Sequence, residues 1–416
     1  MRVGKSAAPG FWMDDPKHRA FLKHDARAHF EFFRASLCPG GRIAVLDAAG
    51  VPLKDTLQEL HTAARLVHSY ALGQLAGVAG ADGIVDAGLR ALFMTHRDTE
   101  YGGYLWAVRD GSVIDGTKLA YGHVFVLLAA SSARIAGHEA AKALFDDVAD
   151  VIETRFWDES AGLLRDEFNR DWTPFSTYRG MNANMHGVEA MLTAYEATGD
   201  TLWRDRAGRI LEFLTGRIAP IHDWRLPEHY HEDWSVDDSY DGNPMFRPAG
   251  TTPGHSFELA RLVLQHWDLC GRPSGSAVAT ARHLVDRALS DAWRPDGGFV
   301  YTLNHGGAVA IADRYWWPVT EAIGALATLL KIDHTLGDEE WYRRLWVFAE
   351  ARFIDTERGG WFPEIDSEGE RTETQFTGKP DIYHSLQADL IPLVPSVSKM
   401  WNKLGGSLSD TQGSRS

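Results

Sequence analysis

Apolar side chains recur every three or four residues through most of this chain, which is the spacing of one face of an α-helix. In the first such stretch, residues 18–37, the side chains of Phe21, Phe30 and Phe33 fall on roughly one face. The pattern returns in eleven further stretches: 57–75, 85–93, 118–135, 140–156, 185–197, 202–214, 256–269, 277–292, 318–330, 340–353 and 382–393. It therefore predicts twelve helices in an all-α protein.

Short glycine-containing segments separate alternate helices. Gly103, Gly162, Gly298 and Gly360 each follow the end of a predicted helix and open a short β-like hairpin. The hairpin turns are predicted at 109–111, 304–307 and 367–369. The first two of these glycines, and the last two, are each about 60 residues apart, which indicates a repeat of helix, hairpin and helix.

Six helix pairs with one repeat length close naturally into a ring of six inner and six outer helices. We therefore predict an (α/α)6 barrel with short β-hairpins between the helices, and an open helical solenoid is the alternative. Residues 1–403 form the single predicted domain, and the Gly- and Ser-rich residues 404–416 are predicted to be a flexible tail. In such a barrel the N-terminal ends of the inner helices converge on one central pocket.

Composition and charge narrow the range of partners and locations. A formal net charge of −15 disfavours nucleic acid and anionic membrane surfaces as partners. No apolar run is long enough for a signal peptide or a membrane span. The only two cysteines, Cys38 and Cys270, suit a reducing compartment, so a cytoplasmic location is expected. A monomer or a homodimer is the expected assembly.

Three histidines are the strongest chemical signal in the sequence. His186, His255 and His384 each stand shortly after a Gly or Pro and near the start of a helical pattern. Imidazole has an ordinary pKa of about 6.5, so it gives or takes protons at neutral pH. The chain also has fifteen tryptophans, whose faces stack on sugars but also fill cores. The histidines predict a pocket that transfers protons.

Six segments, in this order and spacing, resemble the N-acylglucosamine 2-epimerase superfamily across nearly the whole chain. The similarity is closest to its mannose isomerase and sulfoquinovose isomerase branch. Singly most of these motifs are weak, and their combination is specific. They are Ala64-Arg-Leu-Val-His68, Lys118-Leu-Ala-Tyr121-Gly-His, Asn182-Ala-Asn-Met-His186-Gly-Val-Glu189, Phe246 to Arg261, Tyr315-Trp-Trp-Pro-Val-Thr-Glu321, and Gly378-Lys-Pro-Asp-Ile-Tyr-His384.

The resemblance implies an (α/α)6 barrel that isomerises a sugar without a metal or redox cofactor. It also implies that His255 and His384 are the acid–base pair. We assign His384 as the base at C2 and C1, and His255 to ring opening and proton movement between oxygens. His186 is expected to hold a substrate hydroxyl and support the enediolate. The predicted substrate-binding residues are Arg65, Tyr121, Asn182, Glu258, Trp316 and Glu321.

Helical spacing adds two expectations. Glu258 follows His255 by three residues and Glu189 follows His186 by three, so each carboxylate could orient its histidine. Arg65 is expected to polarise the carbonyl or anchor an anion, with a structural salt bridge to Glu59 or Asp55 as the alternative. A zinc or manganese site that uses His255 and Glu258 together with His186 or His384 is a further alternative, which the resemblance disfavours.

The expected function is isomerisation of an aldose to a ketose, with D-mannose to D-fructose first and an anionic hexose such as sulfoquinovose second. A monosaccharide is therefore the expected partner. Epimerisation at C2 is a neighbouring outcome. A glycoside hydrolase would need two carboxylates, which Asp237, Asp238, Glu258 or Glu321 could supply. A non-catalytic binding protein would not need two acid–base imidazoles.

Overall fold

A computed structural model describes residues 10–54, 57–242 and 247–409. Its helices are α1 (Pro16–Phe33), α2 (Leu60–Ala76), α3 (Ala81–Ala91), α4 (Ala120–Ile135), α5 (Ala140–Val151), α6 (Met181–Thr198), α7 (Thr201–Leu211), α8 (Ala219–Ile221), α9 (Pro253–Leu269), α10 (Ala277–Ala292), α11 (Trp316–Leu330), α12 (Leu336–Arg352), α13 (Tyr383–Leu393) and α14 (Trp401–Leu404). Short 3₁₀ segments cover Trp12–Asp14 and Arg34–Ser36, and π-helical turns cover Leu92–His96, Ile152–Phe156 and Glu212–Ile218.

The strands are all two to four residues long. They are β1 (Gln58–Glu59), β2 (Ala107–Arg109), β3 (Ser112–Asp115), β4 (Lys118–Leu119), β5 (Trp157–Asp158), β6 (Leu163–Leu164), β7 (Glu167–Phe168), β8 (Arg179–Gly180), β9 (His229–Tyr230), β10 (Thr302–Leu303), β11 (Val309–Ile311), β12 (Arg314–Tyr315) and β13 (Glu364–Ile365).

Six inner helices form a closed ring, and each has an outer helix packed behind it. Contacts run from α2 to α4, α6, α9, α11, α13 and back to α2. The outer partners are α3, α5, α7, α10, α12 and α1 in the same order. The twelve predicted helices correspond to these twelve, and the predicted (α/α)6 barrel is confirmed.

Burial explains which helices form the inner ring. Every residue of α11 is buried, as expected for a helix surrounded by protein on all sides. The outer helix α3 instead buries only one face, and its polar residues lie on the other face. Local sequence sets several ends: the Asp15 carboxylate accepts from the Lys17 amide at the start of α1, and Gly77, with φ of 90°, ends α2.

The ring closes between helices from opposite ends of the chain. Every other outer helix follows its inner partner directly in sequence, whereas α1 packs on α13. Asp25 and His29 on α1 lie against Asp389 on α13, and all three side chains are buried. The barrel therefore needs residues near both ends of the chain to be complete.

Strands tie the loops at the N-terminal ends of the inner helices into a rim. The strands β1, β4, β8 and β12 immediately precede α2, α4, α6 and α11. Each pairs antiparallel with a strand from the segment that leads into the next inner helix, namely β2, β7, β9 and β13. Asp110 and Gly111, both with positive φ, make the predicted turn between β2 and β3.

The predicted flexible tail is packed where the structure describes it. Leu404 and Leu408 are buried, and the Leu408 amide donates to the carbonyl of Ala76 at 2.8 Å. Residues 410–416 lie outside the described residues. Among the described residues, none of the helices has the length and apolar character that a bilayer crossing requires.

Candidate active site

The inner helices present their functional residues in two layers counted from their N-termini. Since these helices begin at the same end of the barrel, residues at matched positions lie at matched depths. The upper layer holds second or third residues: His61, Tyr121, Asn182, His255, Trp317 and His384. The lower layer holds sixth residues: Arg65, Phe125, His186, Glu258 and Glu321.

His384 is held by a carboxylate from the neighbouring helix. Its Nδ1 lies 2.8 Å from Oε1 of Glu321, and both side chains are buried. A carboxylate only accepts hydrogen bonds, so Nδ1 donates and Nε2 is left as the basic nitrogen. Burial alone would raise the pKa of Glu321, but Arg261 and the bond from His384 hold it below its ordinary value. Glu321 is therefore ionised and fixes the tautomer.

His255 has a carboxylate partner of its own, and it is not the predicted one. Its Nδ1 lies 2.8 Å from Oε1 of Glu228, which comes from the loop before α9. Among the described residues no hydrogen bond or ion pair joins Glu258 to His255, so Glu258 is wrong as its orienting residue. Glu258 instead approaches His186 and Arg261, at 3.4 and 3.7 Å. The i+3 spacing therefore did not identify the partner of His255.

One tryptophan contacts both histidines. The ring centroid of Trp317 lies 5.1 Å from that of His255 and 5.9 Å from that of His384. The predicted Trp316 also lies near His384, edge-on at 6.1 Å, and packs mainly on Phe376 at 5.2 Å. The imidazoles at positions 255 and 384 therefore share the indole of Trp317.

Gly254 leaves room for this indole, and replacing it is expected to damage the site. A Cβ at this position would come within 2.3 Å of the Trp317 ring. The Gly254→Ala variant should displace the indole from both histidines and lower kcat by about tenfold, since misplaced groups lose alignment with substrate. Steady-state kinetics on the proposed substrate would check this. Gly83→Ala, where a Cβ meets nothing within 4 Å, is the matched control.

Arg65 is paired with Asp381 rather than with Glu59, and Asp55, the other acid considered, lies outside the described residues. Nη1 of Arg65 donates to Oδ2 of Asp381 at 2.8 Å, and its Nη2 donates to the Tyr121 hydroxyl at 3.0 Å. The guanidinium also lies over the rings of Phe125 and Tyr383, at 4.5 and 4.8 Å. These contacts fix its orientation. Because Asp381 neutralises it, Arg65 is set up as a hydrogen-bond donor rather than as an uncompensated charge.

Three residues of the lower layer, His186, Glu258 and Glu321, form a buried cluster with Glu189 and Arg261. Nδ1 of His186 lies 3.4 Å from Oε1 of Glu258 and 3.7 Å from Oε2 of Glu189. Glu189, the predicted partner of His186, therefore lies close to it. Nη2 of Arg261 lies 3.2 Å from Glu321 and 3.7 Å from Glu258. Tyr383 donates to Glu189.

Burial sets the protonation of this cluster. It lowers the pKa of His186 to about 4, so the imidazole is neutral at pH 7. Burial, reinforced by the charges of Glu321 and Glu189, raises the pKa of Glu258 well above its ordinary value. Neither oxygen of Glu258 has a hydrogen-bond partner among the described residues. The protonated form of Glu258 is therefore favoured, and in that form it can donate a hydrogen bond to a substrate oxygen.

His186, Glu189 and Glu258 have ligand atoms close enough to one another to hold a cation. Arg261 already lies within 4 Å of both carboxylates and supplies positive charge there. A metal ion at this point would be repelled by the guanidinium. These side chains are therefore better suited to form hydrogen bonds to a substrate than to coordinate a metal ion.

Several residues of the site were not found from the sequence. Glu228 lies in a long loop and carries no periodic signal, whereas Asp381 stood inside a quoted motif and could have been singled out. The sequence prediction includes Trp316 but neither its neighbour Trp317 nor His61, which stacks on Trp106 at 5.1 Å. Asn182, a predicted binding residue, has a buried Oδ1 without a hydrogen-bond partner among the described residues.

Comparison with known proteins decides the family. The model of the N-acylglucosamine 2-epimerase family matches residues 41–388. The chain belongs to this family. A D-mannose isomerase from Thermobifida fusca is 41% identical over 393 residues, which cover 92% of this chain and 96% of that protein. A D-mannose isomerase from Pseudomonas cannabina pv. alisalensis is 37% identical, covering 95% and 97%.

A solved structure agrees with these relatives. A crystal structure of D-mannose isomerase superposes with a TM-score of 0.86 at 28% identity, covering 93% of this chain and 99% of that one. The family assignment from sequence motifs is therefore confirmed, and the similarity extends along nearly the whole barrel.

Proposed function

We propose that this protein isomerises D-mannose to D-fructose. The observation that carries the proposal is the pair of carboxylate-held imidazoles, His255 with Glu228 and His384 with Glu321, which both lie against the indole of Trp317. Each has its Nδ1 engaged, so each offers Nε2 to a substrate. Isomerisation needs two proton carriers, one for oxygens and one for carbon, and this arrangement supplies both.

Ring opening is the first step, and we assign it to His255. The sugar enters as a pyranose, so the proton of the O1 hydroxyl must leave while O5 gains one. The side chain of His255 is the more exposed of the two, at 12% against 7% for His384. Glu228 stabilises the imidazolium that forms when His255 takes the proton. The same histidine then moves a proton between O1 and O2.

Proton transfer between carbons follows, and we assign it to His384. Its Nε2 removes the proton at C2, which forms a cis-enediol, and returns a proton to C1. Glu321 stabilises the transient imidazolium. The charge that develops on oxygen needs donors, which Arg65, Tyr121 and the neutral acid Glu258 can provide. All these groups are side chains, and the proposed reaction needs no cofactor.

The charge around the histidines favours a neutral sugar over an anionic one. Besides Glu258, whose raised pKa favours its neutral form, the carboxyl groups nearby are Glu189, Glu228, Glu321 and Asp381. The two guanidinium groups among them, Arg65 and Arg261, already face carboxylates. A phosphate or sulfonate would meet more negative than unpaired positive charge here.

Two further features complete the proposal. Cys38 and Cys270 are both free thiols, which suits the cytoplasm. A monomer or a homodimer that binds no nucleic acid or membrane is consistent with the strongly negative net charge.

Incubation with a panel of sugars tests the function. D-mannose, D-glucose, mannose 6-phosphate and sulfoquinovose would each be incubated with pure enzyme and the products identified by NMR. We expect D-fructose from D-mannose, at a kcat/KM well above that for either anionic sugar. D-glucose as the only product from D-mannose would instead establish a 2-epimerase, and turnover confined to the anionic sugars would refute the charge argument.

Glu228 is expected to affect catalysis only through its hydrogen bond with His255. Glu228→Gln keeps the side-chain shape but removes the charge that stabilises the imidazolium, so kcat should fall by about tenfold. KM for D-mannose should change little, because Glu228 bonds to His255 and to the Thr252 amide. A KM that rises with kcat unchanged would show that Glu228 binds substrate instead.

The protonation of Glu258 separates this reaction from glycoside hydrolysis. An amide resembles a protonated carboxyl in shape, so Glu258→Gln is expected to retain at least about ten times the activity of His384→Asn. A hydrolase that used Glu258 as acid would show the reverse order, since an amide cannot deliver a proton. The comparison uses D-mannose isomerisation and hydrolysis of an aryl mannoside, with both variants checked for helical circular dichroism.

A further inference from the structure

A second cluster of metal-ligating side chains lies away from the active site, where α1 packs on α13. His29 stands one turn after Asp25 on α1, and Asp389 faces both from α13. His29 and Asp389 are fully buried, and the Asp25 side chain is 6% exposed. One ligand atom from each residue lies within 4.8 Å of the other two.

The polar atoms of this cluster lack hydrogen-bond partners among the described residues. This holds for both ring nitrogens of His29 and both carboxylate oxygens of Asp389. Asp25 accepts one bond, from Nε1 of Trp361 at 2.9 Å. Buried polar groups without partners are costly, so native proteins satisfy them with water, protons or ions. Something that the protein itself does not supply is needed here.

The separations suit ligands that share one ion. Nε2 of His29 lies 3.6 Å from Oδ2 of Asp25 and 3.4 Å from Oδ2 of Asp389. These distances are too long for good hydrogen bonds. Two ligand atoms that each lie about 2.1 Å from a tetrahedral ion are about 3.4 Å apart. The imidazole and carboxylates are therefore spaced as they would be around a common centre.

Charge balance supports a divalent ion. Two carboxylates and a neutral imidazole would bury two negative charges, which a doubly charged cation neutralises. The buried ammonium of Lys379, whose charge acts on Asp25 and His29, donates its hydrogen bonds to Asp355 and to the carbonyl of Gly359 instead. We propose that Asp25, His29 and Asp389 bind one divalent transition-metal ion of the zinc or manganese class.

Such an ion would act on structure rather than on the reaction. It would join α1 to α13, the one outer–inner pair among the six whose helices come from opposite ends of the chain. A link across so long a segment restricts the unfolded chain strongly. It would also steady the helix that carries His384. The proposal does not depend on the isomerase reaction, and its test has readouts other than activity.

Zinc content and thermal stability test the proposal. Tag-free protein would be stripped with a chelator, incubated with excess ZnSO4, desalted and measured by inductively coupled plasma mass spectrometry. We expect about one zinc ion per chain and a rise in Tm of about 5 °C or more on zinc addition. Asp389→Asn should lose both, whereas Glu258→Gln, which alters the cluster in the active site, should keep both.

Other outcomes would overturn it. Stripped protein that takes up no zinc or manganese, with an unchanged Tm, would mean that protons and water satisfy these groups. Zinc retained in Asp389→Asn but lost in Glu258→Gln would move the ion to the active-site cluster. If Asp389→Asn fails to fold, anomalous scattering at the zinc edge from wild-type crystals decides: a peak between His29 and Asp389 supports the site, and its absence there refutes it.

Discussion

His384→Asn is expected to lower kcat for D-mannose isomerisation by about 1,000-fold or more. The amide can still accept a hydrogen bond, but it has no nitrogen basic enough to remove a proton from carbon. KM should change little, because Arg65, Tyr121 and the lower layer remain. The measurement is steady-state formation of fructose at saturating D-mannose.

His24→Asn is the matched control for this variant, since His24 is an exposed residue of the outer helix α1. It should behave as wild type. The proposed role of His384 would be untenable if His384→Asn retained more than about a tenth of wild-type kcat while remaining folded.

The second large effect is expected at His255. His255→Asn should lower kcat by about 100-fold, because opening of the pyranose ring loses its proton carrier while proton transfer at carbon is left intact. Ring opening then becomes rate-limiting. A primary isotope effect measured with D-mannose deuterated at C2 should therefore shrink toward unity in this variant, compared with wild type.

The isotope effect separates the two histidines in a way that rates alone cannot. If His255 were the carbon base instead, its replacement would leave a full isotope effect on any residual turnover. In that case His384→Asn would be the variant with the diminished isotope effect, and the two assignments would be exchanged.

The sequence predicts the fold well because the barrel is built from local patterns. Each of the twelve helices carries its own 3.6-residue periodicity, and glycines such as Gly103 and Gly360, both with positive φ, mark the hairpins. The pairing of α1 with α13 leaves no such mark. It depends on contacts of Asp25 and His29 with Asp389, which lies more than 350 residues further along the sequence.

The candidate site is predictable only in part for a similar reason. His255 and His384 stand out because of their position at helix starts, and the motifs led to Glu321 and Arg65. Such reasoning does not identify Glu228, because this residue reaches His255 from an irregular loop. Spacing alone also misplaced Glu258, since it does not show that His186, from a neighbouring helix, lies near the Glu258 carboxyl or that His255 has another partner.

Deuterium labelling tests the central claim most directly. D-mannose would be incubated in D2O with the pure enzyme, and the sugars followed by ¹H and ¹³C NMR. If His384 takes the proton from C2 and exchanges it with the solvent before C1 is protonated, D-fructose will carry deuterium at C1, in whole or in part. Deuterium-free D-fructose that receives only hydrogen from C2, even at long times and after repeated turnover, would contradict exchange at His384, and no D-fructose at all would contradict the function.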